Sequence, residues 1–145
     1  MNKKIPIILG IGLLIIDILS KYLAKTYEIN MCLISDLLCL RYTQNFGISF
    51  GMFSNIDIIT IIIPIVIILC IGYWFIKSNK LITNIALILI LVGAGSNLID
   101  RIFYGSVIDF IDINFFVCNI SDIYIFIGAC ILLFTYKEQD GNVKC

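Results

Sequence analysis

The sequence contains no histidine. That absence removes Ser-His-Asp and Cys-His nucleophilic designs, and histidine-rich zinc sites, in one step. An enzyme of this composition must take its acid and base from Asp, Glu, Lys or Tyr. Charge is also scarce, at 14% of 145 residues, against about 25% in an ordinary soluble domain. The formal net charge is zero and no basic patch marks a nucleic-acid surface. The six cysteines show no CxxC and no metal-ligand spacing. Cys70 and Cys130 fall in apolar runs, where a thiol acts as a small hydrophobe. Cys32, Cys39 and Cys118 fall outside them, and a disulfide among these stays open.

What the chain has in excess is apolar, 61% of the residues. The excess is gathered into four runs, at 5–23, 58–76, 81–99 and 120–136. Each is close to the roughly 20 residues that a helix needs to cross a bilayer. The expected fold is an all-α membrane protein, one domain over 1–145, with four transmembrane helices. Residues 25–55 mix apolar and polar types and are expected to form a small, strand-containing extracytoplasmic cap. Residues 100–118 are expected to form a loop, and 137–145 a polar, mobile tail. Lys3 and Lys4 before an apolar run look like the start of a signal peptide. No A-x-A site follows and Asp17 interrupts the run, so it reads as an uncleaved first helix. Pro64 lies inside the second run, where neighbouring helices can satisfy the freed carbonyl. Lys3, Lys4, Lys77, Lys80, Lys137 and Lys144 flank one side of the four spans. Lys21, Lys25, Arg41 and Arg101 flank the other, so the termini are expected to be cytoplasmic.

Acids gather where the apolar composition should exclude them. Asp100, Asp109, Asp112 and Asp122 all fall within 93–122, between the third run and the fourth. Carboxylates at or in a bilayer are costly unless paired or used, which points to an active site of aspartyl type. Asp109 and Asp122 are thirteen residues apart and can meet only if the chain turns between them. Asn119 suits the N-cap of the fourth helix, with Asp122 in its first turn. Two carboxylates a few ångströms apart would divide the work, one as base on a water and one as acid. Spacing alone leaves Asp112 as good a partner for Asp109 as Asp122. Asp17 and Lys21 stand at i and i+4, in the order that favours an ion pair. Gly93-Ala94-Gly95-Ser96 is a small-residue patch suited to close helix packing. Asn97 and Arg101 share one helix face, with Asp100 beside them.

These motifs, in this order, resemble the lipoprotein signal peptidases (signal peptidase II), and the resemblance covers nearly the whole chain. The first helix carries D-x-x-S-K as Asp17 to Lys21. The cap carries N-x-G-x-x-F as Asn45, Gly47 and Phe50. The third helix ends in a G-N-x-x-D-R-like motif, with Asn97, Asp100 and Arg101. V-x-D-F follows at Val107 to Phe110, and F-N-x-A-D as Cys118 to Asp122. The resemblance implies that Asp109 and Asp122 are the catalytic pair. It implies that Asn45, Gly47, Asn97 and Arg101 line the substrate site, supported by Asp17, Lys21, Asp100 and Asn119. It implies a prolipoprotein substrate with a diacylglyceryl cysteine, cleaved just before that cysteine by a monomer in the bacterial cytoplasmic membrane. The active site would lie near the outer face, beside membrane lipid, with no metal or organic cofactor. Four positions depart from the pattern: Ser96 for Gly, Ser121 for Ala, Cys118 for Phe and Ile18 for Gln. Ser121 is expected to add a hydrogen bond to the pair. Two rivals are a Ser20–Lys21 protease and a non-enzymatic transporter or assembly factor using the buried charges. Adjacent residues on a helix point about 100° apart, which disfavours the first.

Overall fold

The computed structural model describes residues 3–34, 37–47 and 56–143. Phe50 and Gly51 of the cap motif lie outside the described residues. The chain runs α1 (Lys4–Thr26), β1 (Asn30–Ile34), β2 (Leu38–Asn45), α2 (Ile56–Lys77), α3 (Leu81–Tyr104), β3 (Val107–Asp112), β4 (Val117–Cys118) and α4 (Ile120–Val143). All four helices contain a stretch long and apolar enough to cross a membrane. The sheet is antiparallel in the order β1-β2-β3-β4 and sits against the ends of α1 and α3. The four-helix, strand-bearing architecture expected from the runs is therefore present.

α3 is the axis of the bundle, packing on α1, α2 and α4. It buries Ala86, Leu87, Ile88, Leu89 and Ile90. By contrast, α1, α2 and α4 leave rows of Ile, Leu and Phe exposed, such as Ile8, Leu69, Leu133 and Phe134. In a bilayer those rows meet acyl chains, which are as apolar as they are. The backbones of α3 and α4 come very close. A Cβ built on Gly93 would lie 2.4 Å from the Ser121 carbonyl oxygen, and one on Gly128 would lie 2.7 Å from the Ala86 carbonyl oxygen. Within the small-residue patch, packing on α4 thus falls to Gly93. Gly95 meets nothing within 4 Å, and Ser96 serves a polar network instead.

Two boundaries differ from the sequence expectation. Asp100 and Arg101 remain on α3, which ends only where Gly105 takes a left-handed conformation (φ 70°) and donates its N–H to the Arg101 carbonyl at 3.0 Å. Residues 100–118 are accordingly one more helical turn and the β3–β4 hairpin rather than a loop. At the other end, α4 continues to Val143 in place of a mobile tail. Lys137, Glu138 and Gln139 are good helix formers and do not stop it. The cysteine question is also answered. Cys32 and Cys39, facing each other across β1 and β2, form a disulfide, and Cys118 keeps a free thiol.

The contact at Gly93 is against backbone, which cannot rotate away. Gly93→Ala is expected to destabilise the protein by about 1–3 kcal/mol and to disturb the start of α4. Gly95→Ala, two residues on, is expected to be neutral or mildly stabilising. Thermal unfolding of both variants in detergent checks this; equal midpoints would contradict the packing.

Candidate active site

The first turn of α4 is built by two side chains that cap each other. Asn119 Oδ1 accepts the Asp122 N–H at 3.0 Å, and Asp122 Oδ2 accepts the Asn119 N–H at 3.1 Å. This is the reciprocal capping box, with Asn at the N-cap and Asp three residues on. Asn119 then uses its amide nitrogen outward, donating to Asp109 Oδ1 at 2.7 Å and to Asn97 Oδ1 at 3.1 Å. Asn97 in turn donates from Nδ2 to Asp122 Oδ1 at 2.8 Å. Asp109 and Asp122 are thus each one hydrogen bond from Asn119.

Asp109 reaches this point because β3 pairs with β2, setting Asp109 opposite Thr43 and Val107 opposite Asn45. Asn45 Nδ2 donates to Asp109 Oδ2 at 2.8 Å, while its Oδ1 accepts the Gly47 N–H at 2.9 Å. Gly47, at φ 91°, closes this short turn. Asp112, the other candidate partner, goes elsewhere. Its Oδ2 pairs with Arg41 Nη1 at 3.0 Å and its Oδ1 accepts the Asn114 N–H at 3.0 Å. Of the two possible pairings, the geometry therefore brings Asp109 toward Asp122.

Behind the pair lies a buried ionic cluster. Lys21 Nζ is 2.9 Å from Asp100 Oδ2 and 3.2 Å from Asp17 Oδ2. It also donates to Asn97 Oδ1 at 2.9 Å and to Ser96 Oγ at 3.1 Å, and Ser96 donates to Asp17. Asp100 Oδ2 accepts the Ile108 N–H at 3.2 Å, joining α3 to β3 one residue before Asp109. A single buried ammonium thus orients Asn97, which holds Asp122.

Asp109 is 1% exposed in the chain as a whole, yet it lines a cavity of about 380 Å³ with Thr43, Gln44, Asn45, Gly47 and Val117. Its pKa is raised above the ordinary 3.8. Burial is the main cause. The hydrogen bonds from Asn45 and Asn119 oppose it, the Asp122 charge adds to it, and Lys21 acts against it. Asp122 is half-buried. The Cys118 thiol, next to Asn119, is likewise pushed up, by burial and then by the charges of Asp122 and Asp109.

Arg101 lies half-exposed on the last turn of α3 and makes no side-chain hydrogen bond among the described residues. Ser121 corrects the sequence expectation. It is fully buried, but its hydroxyl makes no hydrogen bond among the described residues, to the pair or to anything else. It faces Gly93, where only its backbone matters. Ser96, read from the sequence as packing, is a member of the ionic cluster. Thr43, Gln44 and Val117 were not foreseen as cavity residues. Only the β2–β3 register brings them there, and no local residue pattern encodes it.

Known proteins share this arrangement of elements. The chain is 39% identical to a lipoprotein signal peptidase of Wigglesworthia glossinidia brevipalpis, over 88% of this chain and 90% of that one. It is also 39% identical to one from Caldanaerobacter subterraneus, over 81% and 85%. A solved bacterial membrane enzyme superposes with a TM-score of 0.84 at 28% identity, covering 94% of this chain and 90% of that chain. The profile for Signal peptidase (SPase) II matches residues 9–137. The chain is a bacterial membrane peptidase that belongs to the signal peptidase II family.

Proposed function

We propose that the chain is an intramembrane aspartyl endopeptidase that removes signal peptides from diacylglyceryl-modified prolipoproteins, cleaving just before the lipidated cysteine. The observation that carries this reading is the Asn119 bridge, which holds Asp109 and Asp122 on either side of one amide. Asp109, whose pKa is raised, enters as the acid and Asp122 as the carboxylate. Asp122 takes a proton from a water, whose oxygen attacks the scissile carbonyl. Asp109 gives its proton to the carbonyl oxygen, forming a gem-diol. Asp122 then protonates the leaving nitrogen as the C–N bond breaks, and Asp109 recovers a proton from a diol hydroxyl. Both groups end as they began, and no metal or cofactor enters.

The site stands where β2 and β3 meet the ends of α1, α3 and α4, so a peptide can reach it while acyl chains stay among the helices. With cytoplasmic termini this is the outer side of the membrane, and a monomer contains every group named. Asn45, Gly47, Asn97 and Arg101 are assigned to the substrate, and Asp17, Lys21, Asp100 and Asn119 to support. The Ser20–Lys21 alternative fits poorly, because Ser20 donates to the Asp17 carbonyl at 2.8 Å and Lys21 is held by the ionic cluster.

Asp109→Asn and Asp122→Asn are each expected to lower turnover by about 10²–10⁴-fold, with folding and substrate binding retained. Cleavage of a diacylglyceryl-modified prolipoprotein in detergent measures this, and full activity in either variant would sink the aspartyl mechanism.

The pH profile follows from Asp109. Activity is expected to fall as pH rises through its raised pKa, because the acid is then lost. Asn45→Ala removes the stronger of the two hydrogen bonds that oppose the shift, so its alkaline limb is expected at higher pH. The stability sign is consistent. The proton bound more tightly by the folded chain favours folding below 3.8, and that advantage disappears as pH rises through the folded value. A limb that moves to lower pH in Asn45→Ala would contradict the assignment.

Lys21→Met leaves Asp17 and Asp100 buried without their cation. A loss of about 3–5 kcal/mol is expected, and unchanged thermal unfolding would show that the cluster does not hold the bundle.

A further inference from the structure

A second cavity lies at the opposite end of the bundle. The turn between α2 and α3 and the last apolar turns of α4 enclose about 400 Å³, lined by Trp74, Lys77, Ser78, Lys80, Thr83 and Tyr136 among others. Along α3, Thr83 stands roughly 21 Å from Asn97 by the helical rise, so this cavity is separate from the aspartates.

Its chemistry is that of an anion site. Lys77 and Lys80 are exposed, and neither is within an ion pair of any acid among the described residues. Lys77 Nζ rests 5.7 Å from the Tyr73 ring centre. The α3 N-terminus opens here with no side chain capping it, and unsatisfied N–H groups there attract negative charge. Thr83, on that first turn, is only 8% exposed. It lines the cavity and its hydroxyl has no partner among the described residues. The opposing dipole is muted, because Lys3 Nζ donates to the Phe75 and Ile76 carbonyls at the end of α2. Trp74 and Tyr136 are amphipathic rings of the kind found at membrane surfaces. Ile82 and Leu133, next in the chain to the lining residues Thr83 and Leu132, are exposed.

We propose that this cavity binds the phosphate of an anionic membrane phospholipid. Lys77 and Lys80 supply charge, Thr83 and the first N–H groups of α3 supply hydrogen bonds, and the acyl chains lie along the exposed apolar faces of α3 and α4. A diffuse basic surface would attract such lipids too; the unpartnered hydroxyl of the largely buried Thr83 and the open helix end distinguish a site.

Trp74 is the chain's single tryptophan and lines the cavity, so it reports occupancy directly. The full chain is placed in lipid nanodiscs holding brominated phosphatidylglycerol or, at the same mole fraction, brominated phosphatidylcholine. The anionic lipid is expected to quench Trp74 as if enriched on the order of tenfold near it. Lys77→Gln with Lys80→Gln is expected to abolish that enrichment, and Thr83→Val to reduce it several-fold. Equal quenching by the two lipids overturns the proposal. So does a Thr83→Val variant that keeps full enrichment while the lysine variant loses it, which would mean surface attraction only. Inorganic phosphate that relieves the quenching at millimolar levels also overturns the lipid assignment and identifies a soluble phosphate as the ligand.

Discussion

The Lys21 ammonium is the charge around which the polar interior is arranged. It is buried on α1 in a segment facing the bundle, where an unpaired charge would not be tolerated. Asp17 answers it from the same helix, and Asp100 answers it from α3. Two carboxylates against one ammonium leave demand for further donors, and Ser96 and the Ile108 N–H meet part of it. The remaining reach of Lys21 goes to Asn97, and from Asn97 the order passes to Asp122 and Asn119. Helix packing and site geometry are therefore one problem. The same residues that make burial of charge tolerable also set the orientation of the amides around the aspartates.

The close approach of α3 and α4 is the apolar counterpart of this network. Gly93 lets the Ser121 carbonyl lie almost on the α3 backbone, which brings the first turn of α4 within reach of Asn97. A bulkier residue at that point would act on the site without touching a polar group.

Much of this was legible in the chain, for physical reasons. A span needs length and apolarity, both of which are local, so the four helices could be read directly. The i, i+4 spacing of Asp17 and Lys21 and the Asn119 cap are local too, and both are present. What stayed open were matters of register and tertiary contact. Asp109 could not be paired with Asp122 rather than Asp112 from spacing, because the choice depends on the β3–β4 hairpin that turns Asp112 out toward Arg41. The disulfide depended on the β1–β2 register. Ser121 misled because adjacency in sequence to Asp122 says nothing of direction; neighbours on a helix point about 100° apart, and its hydroxyl finds no partner among the described residues. The helix ends moved because Gly105 stops α3 and nothing between 137 and 143 stops α4.

Asn119 performs two tasks with one side chain, starting α4 and holding Asp109. Helix initiation and the link between the two aspartates consequently share one side chain. Fraying of the first turn of α4 would remove the Asn119 contacts to Asp122 and to Asp109 together, while Asn45 and Asn97 would still each hold one carboxylate. With that turn unwound, the two carboxylates would hang from separate elements, Asp109 from β2 through Asn45 and Asp122 from α3 through Asn97, and nothing would fix one against the other.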